Sequence, residues 1–316
     1  MKKTFIYSSI VLLLAAAVAC NKTDSTVSEE PIRFAFATDA ATRALNTNAT
    51  EVLRAQTLQV YDDMGADTYY INDKVTYDSK WNFVSGRAYT WRTGDHKFYA
   101  YTDGAGDFAD NVLTVSKTLT ATDADQVDIL YSDIVKKTKG EASITEAVNI
   151  PMNHLFSAVS IMVKNGTDKT VTVDKVTVPA ILNQGSATID FSGDATVVTP
   201  VTVAAGSSAF APGVTNVELA ANKLTDAFAT AEATDATSAY WLVWPQTTAA
   251  EALTVAIEYT KDGASYASEL KLSAAETEWK AGYKYLYTLV INPHDIRLTF
   301  TVKKWSDPEE HNIIVE

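Results

Sequence analysis

Short segments in which apolar and polar residues alternate recur along the chain. Just after Pro31, Ile32, Phe34 and Phe36 alternate with charged or small neighbours. A second alternating run covers residues 283–291, and a third has its apolar positions at Ile296, Leu298, Phe300 and Val302. Alternation with a period of two is typical of a half-buried β-strand. The sequence therefore predicts a chain built almost entirely of strands.

Turn residues between these segments predict hairpins. Asp262-Gly263 separates two apolar segments within residues 257–272, and an Asp-Gly pair readily adopts the positive φ angles of a two-residue turn. Asn165-Gly166 separates two more within residues 159–173. We expect a hairpin at each pair.

Helical signals are few. Two alanine-rich segments, residues 39–55 and 216–229, could each hold a helical turn or two. No helix of crossover length separates the predicted strands, which disfavours a parallel sheet with helical connections. Many short strands with turn signals between them favour an all-β fold of packed sandwiches.

About 297 residues remain after the first 19, and this length favours two domains. The polar stretch from residue 136 to 143 interrupts the apolar segments, so we place a boundary there. The predicted N-terminal β-sandwich domain covers residues 31–143, and the C-terminal one covers residues 144–316. Residues 20–30 are polar and predict a flexible tether.

Residues 1–19 have the layout of a secretory signal. Lys2 and Lys3 precede an apolar run that is too short to remain in a bilayer as a span. The run leads to Cys20, the single cysteine of the chain, in a context that resembles the lipobox of bacterial lipoproteins. The alternative is an ordinary signal peptide with an incidental cysteine. With one thiol, neither a disulfide framework nor a thiolate metal site can form.

The chain is acidic. Loss of residues 1–19 removes two lysines and changes the formal net charge from −13 to −15. Such a surface disfavours binding to nucleic acid and to anionic membranes.

No residue pattern singles out a catalytic, cofactor or metal site. The four histidines are scattered along the chain, and no phosphate-binding loop, serine-hydrolase or zinc-protease motif occurs. Asp103, Asp107 and Asp110 offer oxygen ligands without the spacing of a calcium loop. Trp241 and Trp244 could stack on sugar rings, but alternating aromatic residues in a strand are more often core. We therefore expect no enzyme, no cofactor and no metal.

Several segments, in their order along the chain, resemble the fimbrillin family, the pilin subunits of type V pili of Bacteroidetes-type bacteria. They are IRFAFATDAATRA, YTWRTGDHKFYAYTD, NIPMNHLFSAVSIMV, YWLVWPQ, WKAGYKYLYTLVI and FTVKKW. The resemblance implies two tandem β-sandwich domains of transthyretin-like topology. It also implies export as a lipoprotein precursor anchored in the outer membrane through Cys20, followed by release into an extracellular fimbrium.

The resemblance further implies maturation by an arginine-specific protease and assembly with other pilin subunits by strand exchange. Carried onto this sequence, the cleaved bond is Arg43–Ala44, with Arg33 and Arg54 as the competing arginines. Cleavage there would release the first strand, with Ile32, Phe34 and Phe36, and a strand of a neighbouring subunit would fill its groove. Adhesion to a receptor on a host or bacterial surface is the expected role.

The donor of that strand stays open at this point. The segment with Ile296, Leu298, Phe300 and Val302 has the required alternation, and residues 313–315 form a shorter apolar end. A stalk subunit needs a donating end, a tip subunit needs only the accepting groove, and an anchor subunit would keep its lipid and first strand. The alternative function is a monomeric surface lipoprotein that binds glycans through exposed aromatic residues.

Overall fold

The computed structural model is built almost entirely of strands, which confirms the predicted all-β fold. One helical turn lies at residues 53–55. Among the described residues, no helix is long and apolar enough to cross a membrane. The structure describes residues 30–38, 53–65, 68–120, 126–177, 181–199, 202–204, 215–221, 235–237, 241–247, 254–271, 278–304 and 311–313.

Within these residues the strands follow one another closely. The first ten are β1 (Phe34–Thr38), β2 (Leu58–Asp63), β3 (Ile71–Asp78), β4 (Lys80–Phe83), β5 (Gly94–Thr102), β6 (Asp107–Ala109), β7 (Val112–Thr118), β8 (Leu130–Ser132), β9 (Val135–Lys139) and β10 (Val148–His154). The others are β11 (Ser157–Asn165), β12 (Val171–Thr177), β13 (Gln184–Asp190), β14 (Val197–Val198), β15 (Thr202–Ala204), β16 (Thr215–Leu219), β17 (Asp235–Thr237), β18 (Trp241–Val243), β19 (Gln246–Thr247), β20 (Thr254–Lys261), β21 (Ala264–Lys271), β22 (Glu278–Trp279), β23 (Tyr283–Ile291), β24 (Ile296–Lys304) and β25 (His311–Ile313).

The first sheet has eight described strands. Their order is β1-β10-β8-β5-β2-β3-β4, and β9 also pairs with β5. Strands β1 and β10 run parallel, whereas the other pairs are antiparallel. Strand β1 therefore lies at one end of the order and β4 at the other.

A second sheet, in the order β14-β13-β7-β6 with β15 on β13, packs against one face of the first. Side chains alternate between the two faces of a strand. Tyr61, Tyr99 and Tyr101 point toward the second sheet, whereas Val60 and Phe98 point into a separate core on the opposite face. Strands β2 and β5 are therefore buried on both faces.

The third and fourth sheets form a separate sandwich. The third has the order β17-β11-β23-β24-β25, with β18 also on β11, and the fourth has the order β16-β12-β20-β21. Valines and isoleucines of β11, β12 and β20 share one core with the tyrosines of β23. Strands β19 and β22 form a short pair of their own.

The hairpin predicted at Asp262-Gly263 is confirmed. Strands β20 and β21 pair antiparallel along their full length. Asp262 has a φ of 51° and Gly263 a φ of 74°. Two consecutive positive φ angles are what the tight turn between paired strands requires.

The hairpin predicted at Asn165-Gly166 is wrong. Strand β11 belongs to the third sheet and β12 to the fourth, so the chain crosses between sheets here. Neither residue of the pair has a positive φ. Instead, the buried Asn165 side chain donates to the carbonyl oxygens of Leu219 and Ala220 at 3.0 and 2.9 Å. A tertiary contact thus overrides the local turn signal.

The helical expectation for residues 216–229 is wrong at its start. Residues 216–219 belong to strand β16, where Val217 pairs with Val173 and Leu219 with Val171 of β12. Val217 and Leu219 lie two positions apart, the spacing of one face of a strand, and pairing with β12 makes this segment a strand. Residues 222–229 lie outside the described residues, as do residues 39–52 of the other alanine-rich segment.

Sheet pairing crosses the predicted domain boundary. Strands β10 and β13 lie beyond residue 143, yet β10 pairs with β1 and β8, and β13 pairs with β7. The first two sheets therefore contain strands from both sides of residues 143 and 144. The division into residues 31–143 and 144–316 stays a prediction. A boundary after His154 would keep β10 with its partners but would still separate β13 from β7.

Close packing between β13 and a buried tryptophan gives a test of the fold. A Cβ atom added to Gly185 would lie 2.7 Å from Cδ2 of Trp244. The Trp244 ring cannot easily move away, because it is fully buried and its Nε1 donates to the carbonyl oxygen of Lys117 at 3.0 Å. We predict that Gly185→Ala lowers the free energy of unfolding by about 1–3 kcal/mol in urea denaturation.

Gly193→Ala is the matched control for this substitution. Its added Cβ would have its nearest neighbour at 3.8 Å, an ordinary contact. We expect a change below about 0.5 kcal/mol. Equal stability of the two variants would contradict the packing of Gly185 against Trp244.

Candidate functional site

Residues 30–38, the first strand segment, place three apolar side chains in the core of the first sheet. Ile32, Phe34 and Phe36 are 4%, 8% and 9% exposed, whereas Arg33 and Ala35 between them are exposed. The alternation of the sequence is thus reproduced as alternation of burial. These three buried side chains, called the anchors below, hold one face of the segment in the core.

The groove that receives these anchors is lined by aromatic rings. The ring of Phe34 lies 5.7 Å from that of Phe83 and 5.6 Å from that of Phe98, both in edge contact. The ring of Phe36 lies 4.8 Å from that of Trp81. Because Trp81 and Phe83 belong to β4, at the far end of the strand order, the first sheet curls on itself. The first strand segment, at one end of the sheet, thereby contacts β4 at the other end.

Backbone pairing holds β1 along one side. It pairs with β10 at five positions, from Phe34 with Val148 to Thr38 with Met152. In the part of the chain that the structure describes, no strand pairs with its other side. Strand β1 is therefore an edge strand, and a sheet edge is where one chain can add a strand to another.

A buried pair of polar side chains, Asp62 and His96, supports one wall of the groove. The His96 ring stacks on Phe98 at 5.6 Å and packs edge-on against Trp91 at 5.0 Å. Its Nδ1 lies 2.6 Å from an Asp62 carboxylate oxygen, and its Nε2 lies 2.8 Å from the carbonyl oxygen of Arg92. Burial alone would lower the pKa of His96, but these two acceptors raise it above its ordinary value. Burial also raises the pKa of the Asp62 carboxyl. A carbonyl oxygen can only accept, so Nε2 donates to Arg92, and the two bonds fix the ring in place.

Sequence reasoning missed the lining of this groove. Trp81, Phe83 and Phe98 lie far from the first strand segment in sequence, and no local pattern links them to it. Phe98 begins an apolar run in β5, which could have indicated a strand buried on both faces. Glu30, the last residue of the predicted tether, has a backbone contact as well: its carbonyl oxygen accepts a hydrogen bond from the Trp91 amide at 2.9 Å.

The lipidation and cleavage residues predicted from sequence, Cys20, Arg43 and Ala44, lie outside the described residues. The two competing arginines are described. The carbonyl oxygen of Arg33 accepts a hydrogen bond from the Val148 amide at 2.7 Å. The guanidinium of Arg54 lies over the ring of Tyr77, at 4.5 Å from its centroid.

The alternating segment near the C-terminus is strand β24, in the interior of the third sheet. Ile296, Leu298 and Val302 are partly buried and pack against the core of the second sandwich. The side chain of Phe300 lies outside the described residues. Strand β24 pairs with β23 at nine positions and with β25 at three. These residues therefore have places in the core of their own chain.

The other candidate residues have structural surroundings. Trp244 is fully buried and cannot present its ring to a sugar, and Trp241 beside it is half-buried. Asp103 pairs with the Lys74 ammonium at 2.7 Å, and Asp110 lies in the turn between β6 and β7. No three His, Cys, Asp or Glu side chains among the described residues come close enough to hold a metal ion.

Comparison with known proteins agrees with this architecture. A Bacteroides uniformis protein named for cell adhesion has a solved structure that matches with a TM-score of 0.53 and 17% identity, over 87% of this chain and 99% of that one. A Bacteroides ovatus protein with a similar name matches with a TM-score of 0.52 and 15% identity, over 91% of this chain and 99% of that one. At such identities these matches support the fold alone. The comparison with curated proteins gave no match.

The family comparison covers most of the chain. The model of the fimbrillin-like family matches residues 41–305, which include the strands of all the sheets except β1 and β25. On this match, the chain belongs to the fimbrillin-like family.

Proposed function

We propose that this protein is a non-enzymatic structural subunit of a cell-surface fimbria, with a role in adhesion, and that it assembles by strand exchange. The observation that carries the proposal is the first strand segment. It is an edge strand, it closes a curled sheet, and it ends at Thr38, five positions before Arg43. Removal of such a strand would leave an open groove for a strand of another subunit.

The buried side chains of the first strand segment allow an estimate of the free energy that its removal would cost. Burying Ile32, Phe34 and Phe36 contributes about 1.5–3 kcal/mol for each side chain, or roughly 5–9 kcal/mol together. A domain is typically stable by about 5–15 kcal/mol. An emptied groove would therefore bind strongly any strand with apolar residues at alternate positions.

Cleavage at Arg43–Ala44 is the proposed trigger. Arginine-directed proteases cut where the backbone can leave its hydrogen bonds. Arg33 is disfavoured because its carbonyl oxygen is bonded to β10, and cleavage there would cut within the anchored strand. Arg54 is disfavoured because it lies in the helical turn and stacks on Tyr77. Arg43 lies between these two ordered positions in the sequence.

Export as a lipoprotein completes the proposed maturation. Signal residues 1–19 would be removed, and Cys20 would be acylated and hold the precursor at the outer membrane. Because Cys20 precedes the first strand segment and Arg43 follows it, one cut separates the anchor and the strand from the rest of the chain. The cut subunit could then enter an extracellular fimbrium.

The pairing of β24 argues against this strand as the one donated to a neighbouring subunit. To donate Ile296, Leu298, Phe300 and Val302, the chain would have to break the pairs with β23 and expose its own core. We therefore propose that β24 stays in its sandwich and that a donor strand comes from another segment, with residues 313–315 as the remaining candidate in this sequence. The monomeric glycan-binding alternative is weakened by the burial of Trp244.

We predict that Arg43→Ala abolishes polymers while leaving a folded precursor, because the first strand segment stays covalently in its groove. High-mass ladders in unheated denaturing gels should fall at least tenfold, as roughly expected when an uncut strand is tethered at high effective concentration. Arg54→Ala, which removes an arginine outside the proposed bond, should polymerise like the wild type. Normal ladders from Arg43→Ala would contradict cleavage at this bond as the trigger.

We also predict that Phe34→Ala destabilises the uncut precursor by about 3–5 kcal/mol, because it removes a ring packed against Phe83 and Phe98. Urea denaturation of the full chain measures this change. Arg33→Ala, at the exposed neighbouring position, should cost less than about 0.5 kcal/mol. A similar loss from both substitutions would show that the anchors do not carry the stability of the segment.

A further inference from the structure

The carboxylate of Glu30 ties the start of the first strand segment to the loop before β10. It accepts hydrogen bonds from the Ser143 hydroxyl and from the Ile144 amide, the latter at 2.8 Å. The Lys139 ammonium lies 3.4 Å from the same carboxylate, with only 12% of the Lys139 side chain exposed. Three donors from β9 and the following loop therefore converge on one side chain.

The backbone next to Glu30 is held from the opposite side. The Trp91 amide donates to the Glu30 carbonyl oxygen at 2.9 Å, and the Ile32 amide donates to the Tyr89 carbonyl oxygen at 2.8 Å. Pro31 forms an antiparallel bridge with Thr90 between these two bonds. The start of the segment is thus enclosed between residues 89–91 and residues 139–144.

The other end of the segment is held less firmly. From Phe34 onward, the described pairing is with β10 alone. Ala37 is exposed, so no buried anchor follows Phe36 among the residues with described side chains. A cut after this end would free the weakly held side first and leave the Glu30 end bound.

We propose that Glu30 is a positioning residue that retains the first strand segment in its groove after the chain is cut and so sets the rate at which a partner strand replaces it. This inference rests on the proposed strand exchange. The Glu30 contacts are specific to the segment that leaves, because an incoming strand gains them only if it also carries a carboxylate at this position. The Glu30 contacts therefore slow release of the first strand segment without stabilising the assembled fibre.

The charge of Glu30 makes the retention dependent on pH. Hydrogen bonds from Ser143 and Ile144, together with the nearby Lys139 ammonium, lower the pKa of Glu30 below its ordinary value of 4.5. Lys139 is the charged group that acts on this carboxylate among the described residues. Since the bound form has the lower pKa, the contribution of Glu30 to retention is fully present above about pH 4.5 and is lost as the pH falls through the lowered value.

The test uses the full chain, cut with an arginine-specific protease and checked by mass for a single cut after Arg43. An excess of a synthetic peptide of residues 30–43 then replaces the native segment, and the release of that segment is followed by native mass spectrometry. We expect Glu30→Gln to release its segment about fivefold faster than the wild type, near the upper limit for a partly exposed ion pair. Release from the wild type should accelerate as the pH falls below 4.5, whereas release from Glu30→Gln should respond less to pH.

Glu146→Gln is the matched control, since it removes the same charge from an exposed position in the same loop. It should release its segment at the wild-type rate, and Lys139→Met should give an intermediate rate. A rate for Glu30→Gln within twofold of the wild type, or an uncut Glu30→Gln chain that no longer folds, would overturn the proposal. A cut at another bond, or a wild-type segment that the peptide never replaces, would instead contradict the proposed strand exchange, and this inference would fail with it.

Discussion

The first sheet has its two ends brought together by curling, and the side chains that fill the gap come from a segment at the edge. Phe34 touches rings from both the middle and the far end of the sheet, and Phe36 meets Trp81 at that far end. Without these anchors, Trp81, Phe83 and Phe98 would line an open apolar groove. The integrity of this core therefore depends on occupation of the groove by a strand of suitable pattern.

Several features of the molecule follow from that dependence. The walls of the groove include the buried Asp62–His96 pair and the aromatic rings around it, none of which belongs to the first strand segment. The second sandwich has its own core, which contains none of the apolar side chains of the first strand segment. This separation of cores supports the proposed strand exchange, in which a subunit must replace one edge strand and keep the rest of its fold.

The sequence predicted the all-β fold, the first strand segment and the hairpin at Asp262-Gly263, because period-two alternation and Asp-Gly turns are local signals. It failed at Asn165-Gly166, where a buried side-chain amide holds a crossover between sheets. It also failed to bring Trp81, Phe83 and Phe98 to the first strand segment, because curling of a sheet depends on contacts between residues far apart in the chain. The contacts of Glu30 could not be predicted from its polar stretch, since its partners Ser143 and Ile144 lie more than 100 residues away.

The most direct test of the account is the N-terminal residue of protein sheared from the cell surface, determined by mass spectrometry. The account predicts a chain that begins at Ala44 and lacks the first strand segment, with the groove filled by a neighbouring subunit. Sheared polymers whose chains still begin at an acylated Cys20, with residues 30–38 in place, would contradict it.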